Sequence, residues 1–359
     1  MRRRSVLGSL AFAAMPAFAQ EGGLRDIAAR RGVAFGCAAQ GNPRLSDPPY
    51  AAAVAQEAAL LVPEGAGKWN SLQPAPGRFS LDRLQPILDF AAAHGQAVRG
   101  HTLVWHTSLP RWVWEAQMTP ASAEAMLREH IAGALALTRG RIRDWDVVNE
   151  VIADPDVLPD QDLRDSLWQR ALGPRFLDIA FRAAQEADPD LRLVINEYGV
   201  EASWPRADEK RARLIRTIRG MQDRGVPVHA VGIQAHMPLD QPFEPAPFAR
   251  FLRDLRGLGL DALLTELDVL EPEAAVLRDE DVPARDATVA ERAHAVVSTA
   301  LQEGCRTVLT WGIADHLSWV NAWAPARRPD GAEVRALPLD RDYRRKPMWH
   351  ALARAFEGR

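Results

Sequence analysis

Two glutamates close strongly apolar runs. Glu150 follows Asp146-Val147-Val148-Asn149, and Glu266 follows Leu263-Leu264-Thr265. A single acid in such a place is usually an ion-paired strand end. Two of them, with neutral polar neighbours, suit glycoside hydrolysis. One carboxyl protonates the departing oxygen, and the other attacks the anomeric carbon or activates water. A metal would need His101, His106 or His236 to converge with a carboxylate, and the spacing is not that of a helical H-E-x-x-H site. No metal and no organic cofactor is therefore expected.

These residues must be positioned by elements, and the elements alternate. Apolar runs suited to strands fall at Val33–Ala38, Ala59–Val62, Ala97–Val104, Asp144–Asn149, Leu191–Asn196, Ala230–Ala235, Ala262–Glu266 and Thr307–Trp311. Amphipathic stretches lie between them, including Leu81–His94, Ser122–Thr138, Arg164–Ala187 and Glu209–Arg224, and several end at a glycine suited to a helix stop. Strand–helix alternation predicts parallel pairing, and eight such units predict one α/β domain, a (β/α)8 TIM barrel over residues 20–359. A doubly wound sheet is the competitor. Against it, Phe35-Gly36-Cys37-Ala38-Ala39-Gln40 has no glycine-rich phosphate loop. Six of the runs end in polar or ionisable groups: Trp105-His106, Asn149-Glu150, Asn196-Glu197-Tyr198, Gln234-Ala235-His236, Glu266-Leu267-Asp268 and Trp311 through His316. In a barrel these ends share one rim, where active sites are built.

The ordered motifs DVVNE (146–150), GHTLVWH (100–106), GIQAH (232–236), TELD (265–268) and WGIADHLSW (311–319) resemble glycoside hydrolase family 10, the endo-1,4-β-xylanases. KWNSLQPAPGRFS (68–80) and YRRKPMW (343–349) fit as well, so the resemblance spans nearly all of residues 24–356. It implies a retaining mechanism on xylan or xylo-oligosaccharides, with Glu150 as acid/base and Glu266 as nucleophile, about 5–5.5 Å apart. Glu266 must then start ionised and Glu150 protonated. It further implies that Asn149 contacts the sugar 2-hydroxyl and the nucleophile, that Gln234 and His236 flank Glu266, and that His101 and Trp105 line the cleavage-site pocket. Period-two alternation would put His101 and Trp105 on one side and His106 on the other.

The chain has 11 Trp but 3 Tyr. Trp311 and Trp319 lie in matched motifs, and indole faces suit the C–H faces of pyranoses. Trp145 and Trp168 read as core; Trp112, Trp114 and Trp323 fit either role. Tyr198 and Asn196 match sugar contacts on the far side of the cleaved bond. The departure from the family is at Glu64–Trp69, EGAGKW where relatives have ENEMKW. Glu64 and Lys68 match as contacts to the sugar one step from the cleaved bond, but an Asn and a Met give way to Gly65 and Gly67. A weaker grip and a looser loop are expected there. The alternatives are another retaining β-1,4-glycanase, a cellulase or mannanase, or a catalytically weak carbohydrate-binding relative.

Composition agrees with an ordinary globular protein: 359 residues, 47% hydrophobic, 25% charged, net charge −3. Disorder and a broad nucleic-acid-binding surface are excluded by these values. Arg2-Arg3-Arg4, the apolar run Val6–Phe18 and Ala17-Phe18-Ala19 read as a cleavable signal peptide over residues 1–19, too short to span a bilayer, with twin-arginine character. A periplasmic or extracellular monomer without a membrane anchor is expected. Cys37 and Cys305 are expected as two free buried thiols, although they fall near neighbouring strands.

Overall fold

A computed structural model describes residues 22–272, 281–323, 327–328 and 330–359; the 1–19 segment lies outside them. Eight parallel strands form the barrel: β1 (Ala34–Ala39), β2 (Leu60–Pro63), β3 (Ala97–Gly100), β4 (Ile142–Asn149), β5 (Arg192–Glu197), β6 (Ala230–Ile233), β7 (Asp261–Leu270) and β8 (Thr307–Thr310). Each pairs with the next, and Ala34 against Thr307 joins β1 to β8 and closes the ring. Closure removes every sheet edge.

Alternate residues on each strand serve two cores. Leu193, Val231, Leu264 and Val308 belong to the main apolar core with the surrounding helices. Their neighbours Val194, Ala230 and Leu263 form a separate small cluster, as do Ala38, Val62, Leu309 and Trp311. Trp145 and Trp168 are buried in the main core, as their patterns predict.

Three boundaries differ from the sequence expectation. β3 ends at Gly100, and the chain meets β4 again at Leu103 and Val104, whose N–H groups donate to the Asp146 and Val147 carbonyls. β6 ends at Ile233; a short segment, His236–Pro238, then pairs beside β7, which runs on to Leu270. The stretch Arg164–Ala187 forms two helices, Leu167–Leu172 and Arg175–Ala187, because Gly173 takes φ 60° and Pro174 follows. Cys37 and Cys305 are buried free thiols, and burial pushes Cys37 up to about 12.

Candidate active site

Glu150 sits one residue beyond β4 with φ 56°, a left-handed conformation that costs a side-chain-bearing residue about 1–2 kcal/mol. Two bonds hold it there. Its N–H donates to the Asn196 carbonyl (2.9 Å), and its own carbonyl accepts from Arg164 Nε (2.8 Å). The carboxylate accepts from Trp105 Nε1 at Oε2 (3.0 Å) and from Gln234 Nε2 at Oε1 (3.1 Å).

Glu266 lies within β7 and is 4% exposed. Asn196 Nδ2 donates to its Oε1 (2.7 Å), and His236 Nε2 stands 3.4 Å from Oε2. Burial works against its charge, but the His236 hydrogen bond, the charges of His101 and His236 and the Asn196 bond together outweigh it. The carboxyl is held below its ordinary range. His236 is itself oriented by Asp268, its Nδ1 2.8 Å from Oδ1, and Trp319 Nε1 donates to Asp268 Oδ2 (2.7 Å). Burial opposes an imidazolium here, yet Asp268 and Glu266 hold His236 well above its ordinary value.

A chain of amides joins the two carboxylates. Asn196 Nδ2 donates to Asn149 Oδ1 (2.8 Å) as well as to Glu266, and Gln234 Nε2 reaches both Asn149 Oδ1 (3.3 Å) and Glu150. Thr265 Oγ1 donates to Asn196 Oδ1 (2.8 Å), which sets the orientation of that amide. Asn149 thus receives two bonds at its oxygen and lines the cleft. It makes no bond to Glu266; Asn196 takes that place. Asn196, expected at a far-side sugar, is instead fully buried and turned to Glu266; nothing in the motif spacing distinguishes it from Asn149, its register partner on the neighbouring strand.

The remaining predicted residues converge on the same cleft, about 1910 Å³ in volume and lined by Glu64, Lys68, His101, Trp105, Asn149, Tyr198, Gln234, His236, Trp311 and Trp319. That is room for several sugars, beyond the few hundred Å³ of a small-ligand pocket. His101 is fixed by Asp146 (Nδ1 to Oδ2, 2.9 Å), which Arg99 clamps in turn (Nη1 to Oδ2, 2.6 Å). Lys68 Nζ lies 4.7 Å from the Trp105 ring centre. Burial lowers Lys68 against the pull of Glu266, Glu64 and Glu150, and burial raises Glu64. Tyr198 receives Arg164 Nη2 (2.6 Å), donates to Asp154 and rests on Lys210 Nζ, 3.5 Å from the ring centre.

Two further expectations are corrected. His106 lines the cleft beside Trp105, with Nδ1 3.9 Å from Glu150 Oε2. The chain has left the strand at Gly100, so alternation no longer applies. Gly67 is not loose: a Cβ there would stand 2.6 Å from the His101 carbonyl oxygen. Only Gly65 faces open space. Of the tryptophans left undecided, Trp323 lines the cleft and stacks on Trp319 (5.0 Å, 28°), whereas Trp112 packs on the core.

Paired carboxylates and aromatic walls on the strand-end rim of a (β/α)8 barrel define a glycoside hydrolase. Residues 23–355 match the Glycosyl hydrolase family 10 model. Endo-1,4-beta-xylanase 1 of Humicola insolens is 30% identical over 98% of this chain and 78% of its own length. Beta-1,4-xylanase of Dictyoglomus thermophilum is 32% identical over 80% of each. Among solved structures, xylanase 10B of Thermotoga maritima superposes with a TM-score of 0.84 at 30% identity, covering 93% of this chain and 98% of the other. Xylanase 10B of Thermotoga petrophila, solved with xylobiose, gives 0.84 at 29% identity, covering 94% and 98%. The chain belongs to glycosyl hydrolase family 10.

Proposed function

We propose that the chain hydrolyses internal β-1,4-xylosidic bonds of xylan as a retaining endo-1,4-β-xylanase, with Glu266 as nucleophile and Glu150 as acid/base. The observation that carries the assignment is the asymmetry between the two acids. Glu266 is buried and held ionised by His236 and Asn196, while Glu150 faces the same cleft on a strained turn and, among the described residues, its carboxylate has no cation within 3.5 Å.

Glu266 attacks the anomeric carbon as the glycosidic C–O bond breaks, and Glu150 gives its proton to the leaving oxygen. Each Glu150 oxygen accepts one bond from the protein and keeps a lone pair for that proton. The ester on Glu266 then removes its negative charge. Glu150, now a carboxylate, takes a proton from water, which attacks the same carbon and frees Glu266 with retained configuration. Asn149, fixed by two donors to its oxygen, presents its NH2 to the cleavage-site sugar, where such bonds strengthen in the oxocarbenium-like state. His101, Trp105, Trp311 and Trp319 wall the sugars, Glu64 and Lys68 hold the neighbouring unit, and Tyr198 serves the leaving side.

The test is release of reducing ends from xylan and from soluble cellulose by residues 20–359, with Glu266→Gln as control. Release from xylan alone, lost in the variant, is expected. Preferential release from cellulose would overturn the substrate assignment.

We further propose that residues 1–19 are an export signal and that the enzyme works outside the cytoplasm as a monomer. Replacing Arg3 and Arg4 by Lys should retain the active enzyme in the cytoplasm, and light scattering should give the mass of a single chain. Unchanged export of the Lys variant would contradict the twin-arginine reading.

A further inference from the structure

The wall near Glu64 carries cations that form no ion pair among the described residues. Arg44, Lys68 and Arg83 all line the cleft at the end built from the loops after β1 and β2. Among the described residues none of the three has a carboxylate within 4.0 Å, although Glu64 and Asp82 line the same wall. Elsewhere arginines close to acids pair with them, as Arg99 does with Asp144 and Asp146 and Arg192 with Asp144 and Asp261.

Arg83 is the best placed. Its Nη1 donates to Ser71 Oγ (2.9 Å), and that hydroxyl donates to the Gly65 carbonyl (2.9 Å), so the guanidinium is anchored to the Gly65 turn. Its Nε and Nη2 make no bond to the protein among the described residues. The direction a side chain at position 65 would take is open, and the nearest atom along it is Arg83 Nη2 at 4.0 Å. A small polar side chain at this position would stand in front of the guanidinium; glycine leaves its fork facing the cleft. A fixed guanidinium with a free edge suits a carboxylate, which it can bind with two parallel bonds.

We propose that Arg83, exposed to the cleft by Gly65 and assisted by the field of Arg44 and Lys68, is a specificity-determining residue that recognises a carboxylate carried by the substrate: a uronic acid side group on a sugar of the glycone chain. This rests on the glycoside hydrolase reading above, since the cleft must hold a β-1,4-linked chain for its side groups to reach this wall. Lys68, half-buried and close to Trp105, contributes charge rather than direct contact.

The test compares kcat/KM for a neutral xylo-oligosaccharide and for the same oligosaccharide bearing one glucuronic acid group on its glycone half. Mass spectrometry of the products locates the acid relative to the cut. The enzyme is expected to cut so that the acid stays on the glycone fragment, and to favour the acidic substrate by about tenfold, as for one charge-assisted bond. Arg83→Gln should collapse that ratio, chiefly through the acidic substrate, and salt should erode it in the wild type. Gly65→Asn, which places an amide before the guanidinium, should lower the ratio by improving the neutral substrate. An unchanged ratio in Arg83→Gln, or an acid found only on the aglycone fragment, would overturn the proposal. Free glucuronate should not compete; if it abolishes the preference, the site binds a loose carboxylate rather than a polymer side group. No turnover of either substrate would instead be a failure of the hydrolase assignment.

Discussion

Glu266 and Glu150 differ in what surrounds them, and that difference makes separate predictions. Removing the Glu266 carboxylate removes the covalent intermediate, so Glu266→Gln should lower kcat on the order of 10⁴-fold or more. Glu150→Gln removes proton transfer only. It should cost about 10²–10⁴-fold on xylan and much less on an aryl xylobioside with a good leaving group, where azide should restore turnover. Equal losses on both substrates would contradict its acid/base role. His236 gives a pH prediction. Its folded value lies well above the ordinary 6.5, so its contribution to stability is complete below that value and fades as pH rises through the raised one. The gap in Tm between the wild type and His236→Gln should therefore narrow from neutral to alkaline pH; a gap that widens would refute the charged assignment. Glu266 behaves oppositely: its carboxyl is held below 4.5, so its contribution is present above that value and is lost as pH falls through the lowered one.

Neighbouring strands do what single motifs cannot. Asn196 on β5 and Gly232 on β6 are register partners, and the Asn196 side chain crosses the space a Cβ on Gly232 would occupy. Gly232 is thus a glycine so that Asn196 can reach Glu266. Gly232→Ala should displace that amide and lower kcat about 10–100-fold, the worth of a bond to a charged group, while KM changes little. If kcat is untouched, the amide chain is ornamental. This also explains what was legible beforehand. Asn149-Glu150, Gln234, His236 and Glu266 stand in contiguous motifs at the ends of apolar runs, so their side of the rim could be read directly. Asn196 as the bridge to Glu266, Asp268 behind His236, and Arg99 with Asp146 behind His101 could not, because each role depends on a partner across strands. His106 and Gly67 were misjudged for a related reason. Once β3 ends at Gly100, local periodicity no longer says where a side chain points or how closely two loops approach.

At the scale of the whole barrel, the alternation of strands and helices foretold eight units and their closure, while the interlock between the chain's two described ends was hidden in long-range contacts. Glu57, 3% exposed, accepts from Leu24 N (2.7 Å) and from Trp349 Nε1 (2.8 Å), and Arg345 lies 3.5 Å away. It ties the first helix, Leu24–Ala29, to the last, Pro347–Glu357, against the second, Pro48–Glu57. Glu57→Ala strands these buried donors and should cost about 2–5 kcal/mol of stability. It should leave kcat at low temperature near that of the wild type, since the cleft lies at the other end of the strands. A chemical-denaturation curve beside an initial-rate measurement separates the two effects.

The central claim is that catalysis passes through an ester on Glu266, and trapping that ester tests it most directly. A 2-deoxy-2-fluoro xylobioside with a good leaving group slows release of the intermediate, so the enzyme should lose activity with one fluorinated xylobiosyl unit bound per chain. Digestion and mass spectrometry should find that unit on the peptide containing Glu266, and activity should return as the ester turns over. A label on Glu150, or hydrolysis with inverted configuration and no adduct, would contradict the account.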